Sequence, residues 1–228
     1  MRISSFNINK FCGLYSGTKG AYYNPRNIDF ITPIKDIISK VLKTKDDIIF
    51  LQEFYDNKNI KAEEFFENNG YVVFHNSKLK SNIKSHVVAI TLKDSIWELI
   101  NPDSDDKLKN KFVAMKYNES LKIISIHNTG DTIKQMVDKE FKQHKKQVIL
   151  GDFNDSSWIE ELHNNKKLEY RDLVTDDMIT FKPAQSTIDR IFVAKEYAKE
   201  YDSRKIVFNG ILETFTSDHN ILTFTLNI

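Results

Sequence analysis

"VILGDFN", residues 148–154, sets Val148, Ile149 and Leu150 ahead of Gly151, Asp152, Phe153 and Asn154. A short apolar run bounded by turn residues reads as a buried strand. Turns favour Gly, Asp and Asn, so the ending has a plain structural reading. It also has a chemical one. Residues two apart on an extended chain point to the same side. The pattern therefore aims Asp152 and Asn154 together at something beyond the end of a sheet.

Other strands end in the same way. "RISSFNIN" (2–9) finishes on Asn7 and Asn9, and "DIIFLQE" (47–53) delivers Glu53 after four apolar residues. "LKIISIHN" (121–128) delivers His127, and "FTSDHNILTF" (215–224) places Asp218 and His219 just before a last strand. "STIDRIFV" (186–193) carries Asp189 inside an apolar strand. Each polar ending alone is compatible with a solvated or turn residue. Asp189 is the exception, because a carboxylate between Ile188 and Ile191 is costly to bury without a cation or a donor. His219 is the candidate partner.

Further strands are expected at "YVVFH", "HVVAITL", "SIWELI", "FVAMKY", "QVIL", "RKIVF" and "ILTFTLNI", with Asn118-Glu119-Ser120 turning a hairpin. Helices are expected over 32–42, 60–70 and 131–143. In the first, Ile34, Ile37, Ile38, Val41 and Leu42 share one face behind Thr32 and Pro33. Gly70 closes the second and Asp131 caps the third. Many strands, some joined by hairpins and some through helices, imply mixed sheets covered by helices, an α/β (α+β) domain.

The 228 residues carry no internal repeat and no Pro/Gly/Ser linker, so one domain over 1–228 is expected. Hydrophobic residues at 40% can furnish a sizeable core. A formal charge of +1 separates the chain from proteins that hold nucleic acid by bulk charge, so any polyanion contact must be local or mediated by a cation. The single cysteine, Cys12, excludes an intramolecular disulfide and suits a reducing compartment. No signal-like core or membrane-length apolar run occurs, and a cytoplasmic protein without a membrane partner is the expectation.

The strand-end set comprises carboxylates, two histidines and three asparagines. Hard oxygen donors without a Cys/His cluster suit Mg²⁺, with Mn²⁺ as the alternative, better than zinc. A cation, a base for water and donors for phosphoryl oxygens make a phosphoester-hydrolysis set.

The blocks "SSFNIN", "IIFLQE", "ISIHN", "VILGDFND", "STIDRIFV" and "TSDHNIL", in that order, resemble the endonuclease/exonuclease/phosphatase superfamily from Asn7 to His219. That group includes deoxyribonuclease I, exonuclease III-type apurinic-site endonucleases, neutral sphingomyelinases and inositol polyphosphate 5-phosphatases. The resemblance implies a four-layer α/β/β/α sandwich of two mixed sheets, with the site at one end of the sheets. It implies Glu53 as the principal Mg²⁺ ligand, with Asn7, Asn9 and Asp218 lining the metal and phosphate site. Asp152 would orient or deprotonate the attacking water, and Asn154 would help to position it. His219, held in its tautomer by Asp189, would donate to a non-bridging phosphate oxygen. His127 would contact the phosphate on the leaving-group side, where it can serve as an acid. Branches of the group differ over whether the residue like Asp152 or the pair like His219–Asp189 is the base. The residues alone leave that choice open.

The chain also departs from the pattern. Several relatives have Asp where Asn9 stands, which removes a negative charge. Ser85-His86 stands where many have glycine. Apurinic-site enzymes usually place Tyr at the position of His127 and carry a longer connection before Asp152. These departures weaken a base-excision role.

Two substrates are expected to compete. A nuclease acting on DNA, with RNA as a further possibility, would use loop residues such as Lys78, Lys80, Lys84, Tyr22 and Arg26 to pair with phosphates and stack on bases. A phosphatase or phosphodiesterase on a nucleotide, inositol phosphate or lipid headgroup would suit the near-neutral charge. A non-catalytic binding member of the fold is a third reading. Nuclease leads, and a monomer is expected.

Overall fold

The computed structural model describes residues 1–11, 46–56, 61–76, 85–100, 109–119, 121–128, 147–154, 170–200, 206–213 and 217–227, with isolated positions 35, 36, 39, 43, 159, 160 and 164. The described strands are β1 (Arg2–Asn7), β2 (Ile48–Phe54), β3 (Tyr71–Phe74), β4 (His86–Leu92), β5 (Trp97–Ile100) and β6 (Phe112–Tyr117). They continue with β7 (Leu121–His127), β8 (Gln147–Asp152), β9 (Tyr170–Asp172), β10 (Asp189–Ala194), β11 (Ile206–Leu212) and β12 (Ile221–Leu226). Two described helices, α1 (Ala62–Asn68) and α2 (Lys195–Glu200), accompany them.

The described strands form two six-stranded sheets, ordered β11-β12-β1-β2-β4-β3 and β5-β6-β7-β8-β10-β9. Each is mixed. β1 pairs with β2 in parallel, as β7 does with β8, and the other ladders are antiparallel. Parallel neighbours need a long crossover. The helices expected over 32–42 and 131–143 fall in those two connections, mostly or wholly outside the described residues.

The apolar run of β2 explains the layering. Ile48 and Phe50 join the inner core with Ile123, Ile149 and Phe192 of the facing sheet. Their neighbours Ile49 and Leu51 join an outer core with Phe66 and Ala62 of α1. A strand covered on both faces needs no polar alternation. On the second sheet, α2 follows directly on β10 and buries Tyr197 in the core. This is the layered α/β sandwich expected from the sequence.

Local chemistry accounts for the ends of α1 and for the β6–β7 hairpin. Asp56 accepts from the Ala62 and Glu63 N–H groups, and Gly70 follows the helix at φ 87°. Asn118 turns the hairpin at φ 52°. Two elements had no expectation behind them. β9 is three residues long, and α2 carries only a short charged pattern.

β8 does not stop before Gly151, as its apolar run suggests, but continues through Asp152. The glycine is there for space. Gly151 sits at φ +128°, and a Cβ on it would lie 2.1 Å from the Ile126 carbonyl oxygen of β7. Any larger residue would force β7 and β8 apart.

Candidate active site

Register gathers the site. Asp152 pairs with His127 on the parallel neighbour β7 and with Asp189 on the antiparallel neighbour β10. Three functional side chains therefore leave one row at the end of the second sheet. The first sheet supplies Asn7, paired with Gln52, and then Glu53. The segment before β12 supplies Asp218 and His219. Ser217 ties that segment to β1 by donating from Oγ to the Asn7 carbonyl over 2.7 Å.

Asp152 Oδ2 is the hub. It accepts from Asn7 Nδ2 at 2.8 Å and lies 3.8 Å from His219 Nε2 and 3.9 Å from His127 Nε2. His219 Nδ1 meets Asp189 Oδ2 at 2.9 Å. His219 Nε2 is 3.9 Å from Asp218 Oδ1. Glu53 Oε1 is 3.5 Å from both His127 Nε2 and Asn7 Nδ2, and its Oε2 is 3.4 Å from Lys10 Nζ. Residues scattered from 7 to 219 thus converge.

The two remaining asparagines do not place their side chains as an extended chain would. Asn154 lies at φ 53°, so the chain turns after Asp152 and the two side chains do not run in parallel. Its N–H donates to Asp152 Oδ1 at 2.9 Å, and its side-chain amide donates to the Asn128 carbonyl at 2.8 Å. Asn9, at φ 45°, donates its N–H to Asn7 Oδ1. Glu53 is left-handed too, at φ 54°, where the β2–β4 register shifts between Leu51 and Phe54. Non-glycine residues in this region are strained by about 1–3 kcal/mol and cluster at functional sites. Lys78, Lys80, Lys84, Tyr22 and Arg26 lie outside the described residues.

Burial sets the electrostatics. Desolvation, reinforced by Asp189, pushes the Asp152 carboxyl up to about 7. Burial opposes a charge on His219, yet Asp189, Asp152 and Asp218 together outweigh it and raise the imidazole to about 9. Burial wins at His127, which falls to about 4 despite Glu53, with Lys111 adding to the fall. Burial works against the Glu53 carboxylate, but His127 and Lys10 overcome it and its pKa is lowered. Asp218 is raised by burial.

The donor set fits a divalent cation. Glu53, Asp152, Asp189 and Asp218 gather four carboxyl groups around the cations His219 and Lys10, so acid groups outnumber their cationic partners. Ligand atoms of Asp152, Asp189 and His219 lie within 4.8 Å of one another. In that trio, however, Asp189 and His219 already satisfy each other. The Glu53 carboxylate, whose Oε2 faces an ammonium, is the better centre for an incoming ion.

Several supporting residues gave no signal in the sequence. Thr180 Oγ1 accepts the N–H groups of Ile188 and Asp189, and its carbonyl accepts that of Asn220. Phe181 packs its ring 4.8 Å from that of His219. Asn128 donates its side-chain amide to the Phe153 carbonyl and its N–H to the Asp152 carbonyl. These residues act largely through backbone groups, which leave no spacing pattern.

No curated protein matches the sequence. Several solved structures share the fold. An AP endonuclease from Archaeoglobus fulgidus is 16% identical with a TM-score of 0.67, over 100% of both chains. The 3′ phosphatase NExo from Neisseria, bound to product DNA hairpin, is 14% identical with a TM-score of 0.64, over 100% of both chains. D. rerio TDP2, complexed with single-strand DNA product, is 15% identical with a TM-score of 0.64, over 100% of this chain and 99% of that one. The family model for the endonuclease/exonuclease/phosphatase family matches residues 4–219, a span that contains every residue of the cluster. The chain belongs to the endonuclease/exonuclease/phosphatase family of phosphoester hydrolases.

Proposed function

We propose that the protein is a Mg²⁺-dependent phosphodiesterase, with Mn²⁺ able to substitute, that hydrolyses nucleic acid, DNA first. The observation that carries this reading is the convergence on Asp152 Oδ2 of Asn7 and two histidines, with Glu53 alongside. The DNA products held by two proteins of similar fold support the choice of substrate.

Glu53 is the principal cation ligand, with Asn7, Asn9 and Asp218 lining the same site. A bound divalent cation supplies Lewis-acid polarisation of a phosphoryl oxygen. The chain's own residues divide the rest. His219, raised to about 9 by Asp189, Asp152 and Asp218, is suited to donate from Nε2 to a non-bridging oxygen. Asp189 holds its Nδ1 proton. Asp152 orients the attacking water and takes its proton, a role suited to a carboxylate poised near neutrality. Asn154 fixes the turn through its N–H to Asp152. His127, lowered to about 4, is neutral and serves as a hydrogen-bond donor on the leaving-group side.

Hydrolysis of bis-p-nitrophenyl phosphate with Mg²⁺, with Mn²⁺ and with EDTA tests the reading. Metal-dependent turnover abolished by chelation is expected. Absence of turnover in every condition would leave a binding module instead. A parallel panel of supercoiled plasmid, abasic-site duplex, single-stranded DNA, RNA, nucleoside monophosphates, inositol phosphates and sphingomyelin then fixes the substrate. Intact plasmid beside a hydrolysed small phosphoester would overturn the nuclease assignment.

A further inference from the structure

Lys10 takes no part in the division of roles above. It lies in a short 3-10 turn, Asn9–Phe11, that ends the first strand's polar tip. Its backbone is left-handed (φ 53, ψ 27), a conformation that costs any residue with a Cβ and persists only where its surroundings impose it. The ammonium is 3.4 Å from Glu53 Oε2, at the carboxylate best suited to a divalent ion. The lysine side chain is 37% exposed and that of Glu53 19%, so the pair sits at the mouth of the site and not in its floor. Lys10 also helps to lower Glu53 and adds to the depression of His127, so its charge reaches both sides of the phosphate position.

An ammonium and a divalent cation cannot both hold Glu53 Oε2 at contact distance without strong like-charge repulsion. An incoming cation must therefore displace the lysine. The displaced ammonium has a flexible four-carbon stem and three donors. The nearest destination for it is the anion that arrives with the cation. We propose that Lys10 is an internal counter-ion of Glu53 that the divalent cation displaces, and that its ammonium then binds a phosphate oxygen of the substrate. Cation entry and phosphate binding are thereby linked through one side chain. The inference rests on the reading of this site as a phosphoester-binding centre.

Calorimetric titration of the full chain with Mn²⁺ alone, then of the Mn²⁺-saturated chain with inorganic phosphate, tests it without turnover. Removal of a competing ammonium predicts that Lys10→Met binds Mn²⁺ about three- to fivefold tighter. Loss of a charge-assisted hydrogen bond predicts that it binds phosphate about tenfold more weakly. Lys10→Arg, which keeps the charge, is expected near the parent in the Mn²⁺ titration. Lys116→Met, removing an ammonium that faces Glu98 and Glu119 at the opposite end of the second sheet, is expected to change neither. Unaltered Mn²⁺ affinity in Lys10→Met, or unaltered phosphate affinity, overturns the assignment. Both shifts in a chain that hydrolyses no phosphoester would uphold Lys10 and sink the proposed function. Turnover without the shifts would do the reverse.

Discussion

Two adjacent residues on β10, Asp189 and Arg190, both buried, enter two charge clusters on opposite faces of one sheet. Around Arg190 every charge is met. Its Nη1 donates to Asp172 Oδ2 at 3.0 Å and to the Val174 carbonyl at 2.9 Å, its Nη2 to Asp176, and its Nε to the Thr187 carbonyl. Asp172 in turn accepts the Val174 N–H. Around Asp189 acid groups crowd together, four of them with His219 and Lys10, and burial with Asp189 pushes the Asp152 carboxyl up to about 7. A completed cluster holds loops to a sheet. An uncompleted one is left receptive to a ligand that brings the missing charge, and the fold carries its instability.

The two clusters should respond differently to mutation. The largest effect is expected on rate: His219→Ala and Asp152→Ala should each lower turnover at least about a hundredfold. Thermal unfolding should remain a single transition in both. Near-normal turnover in either variant, assayed on the best substrate from the panel, would refute the role assigned to that residue. Asp189→Asn should follow, because His219 loses the partner that fixes its tautomer and raises its pKa. Its pH–rate profile should lose activity on the alkaline side at a lower pH than the parent's, and an unmoved profile would detach Asp189 from His219.

At the Arg190 cluster the effect should appear in stability. Arg190→Met takes the guanidinium away from the buried Asp172, and breaking a buried pair costs about 3–5 kcal/mol. Denaturant unfolding should show the loss. Activity should survive wherever the variant is folded, and a selective loss of turnover would merge the two clusters into one.

The smallest effect has the opposite sign. An unfolded chain ionises Asp152 near 3.8, whereas the folded, metal-free chain holds the proton to about 7. Between those values the unfolded state loses its proton first, so stability falls as pH rises and stays reduced above about 7. Asp152→Asn removes that penalty. It should raise the melting temperature of the EDTA-treated protein by about 5 °C at pH 8. At pH 4, the lower edge of the window, the two proteins should melt close together. A gain equal at both pH values would mean that ionisation of Asp152 is not its source.

Much of this was legible in the residues. Apolar runs marked the central strands, since a run such as Ile48–Leu51 is continuous only when both faces are covered. Among the site acids Asp189 stood out because it interrupts such a run, whereas Glu53 closes one. Three things lacked a signal. β9 is too short to show a period. Ser217, Thr180 and Asn128 position the site through carbonyl and N–H groups that no spacing rule records. Lys10 reads as an ordinary surface lysine until the left-handed turn brings it to Glu53. Asn154 shows the converse: an extended reading aligned it with Asp152, and the turn at φ 53° gave it a backbone partner instead.

Gln52 lies fully buried beneath the site and donates to Ser5 Oγ within its own sheet and to Ser125 Oγ in the facing one. Glu53 rides on one sheet and Asp152 on the other, so the candidate site spans the seam between the two sheets. That amide works as a dowel against shear. A slip of a single ångström would part Glu53, the proposed ion ligand, from Asp152, the proposed water-activating group, while leaving both sheets intact, so turnover should vanish before any global melting is seen.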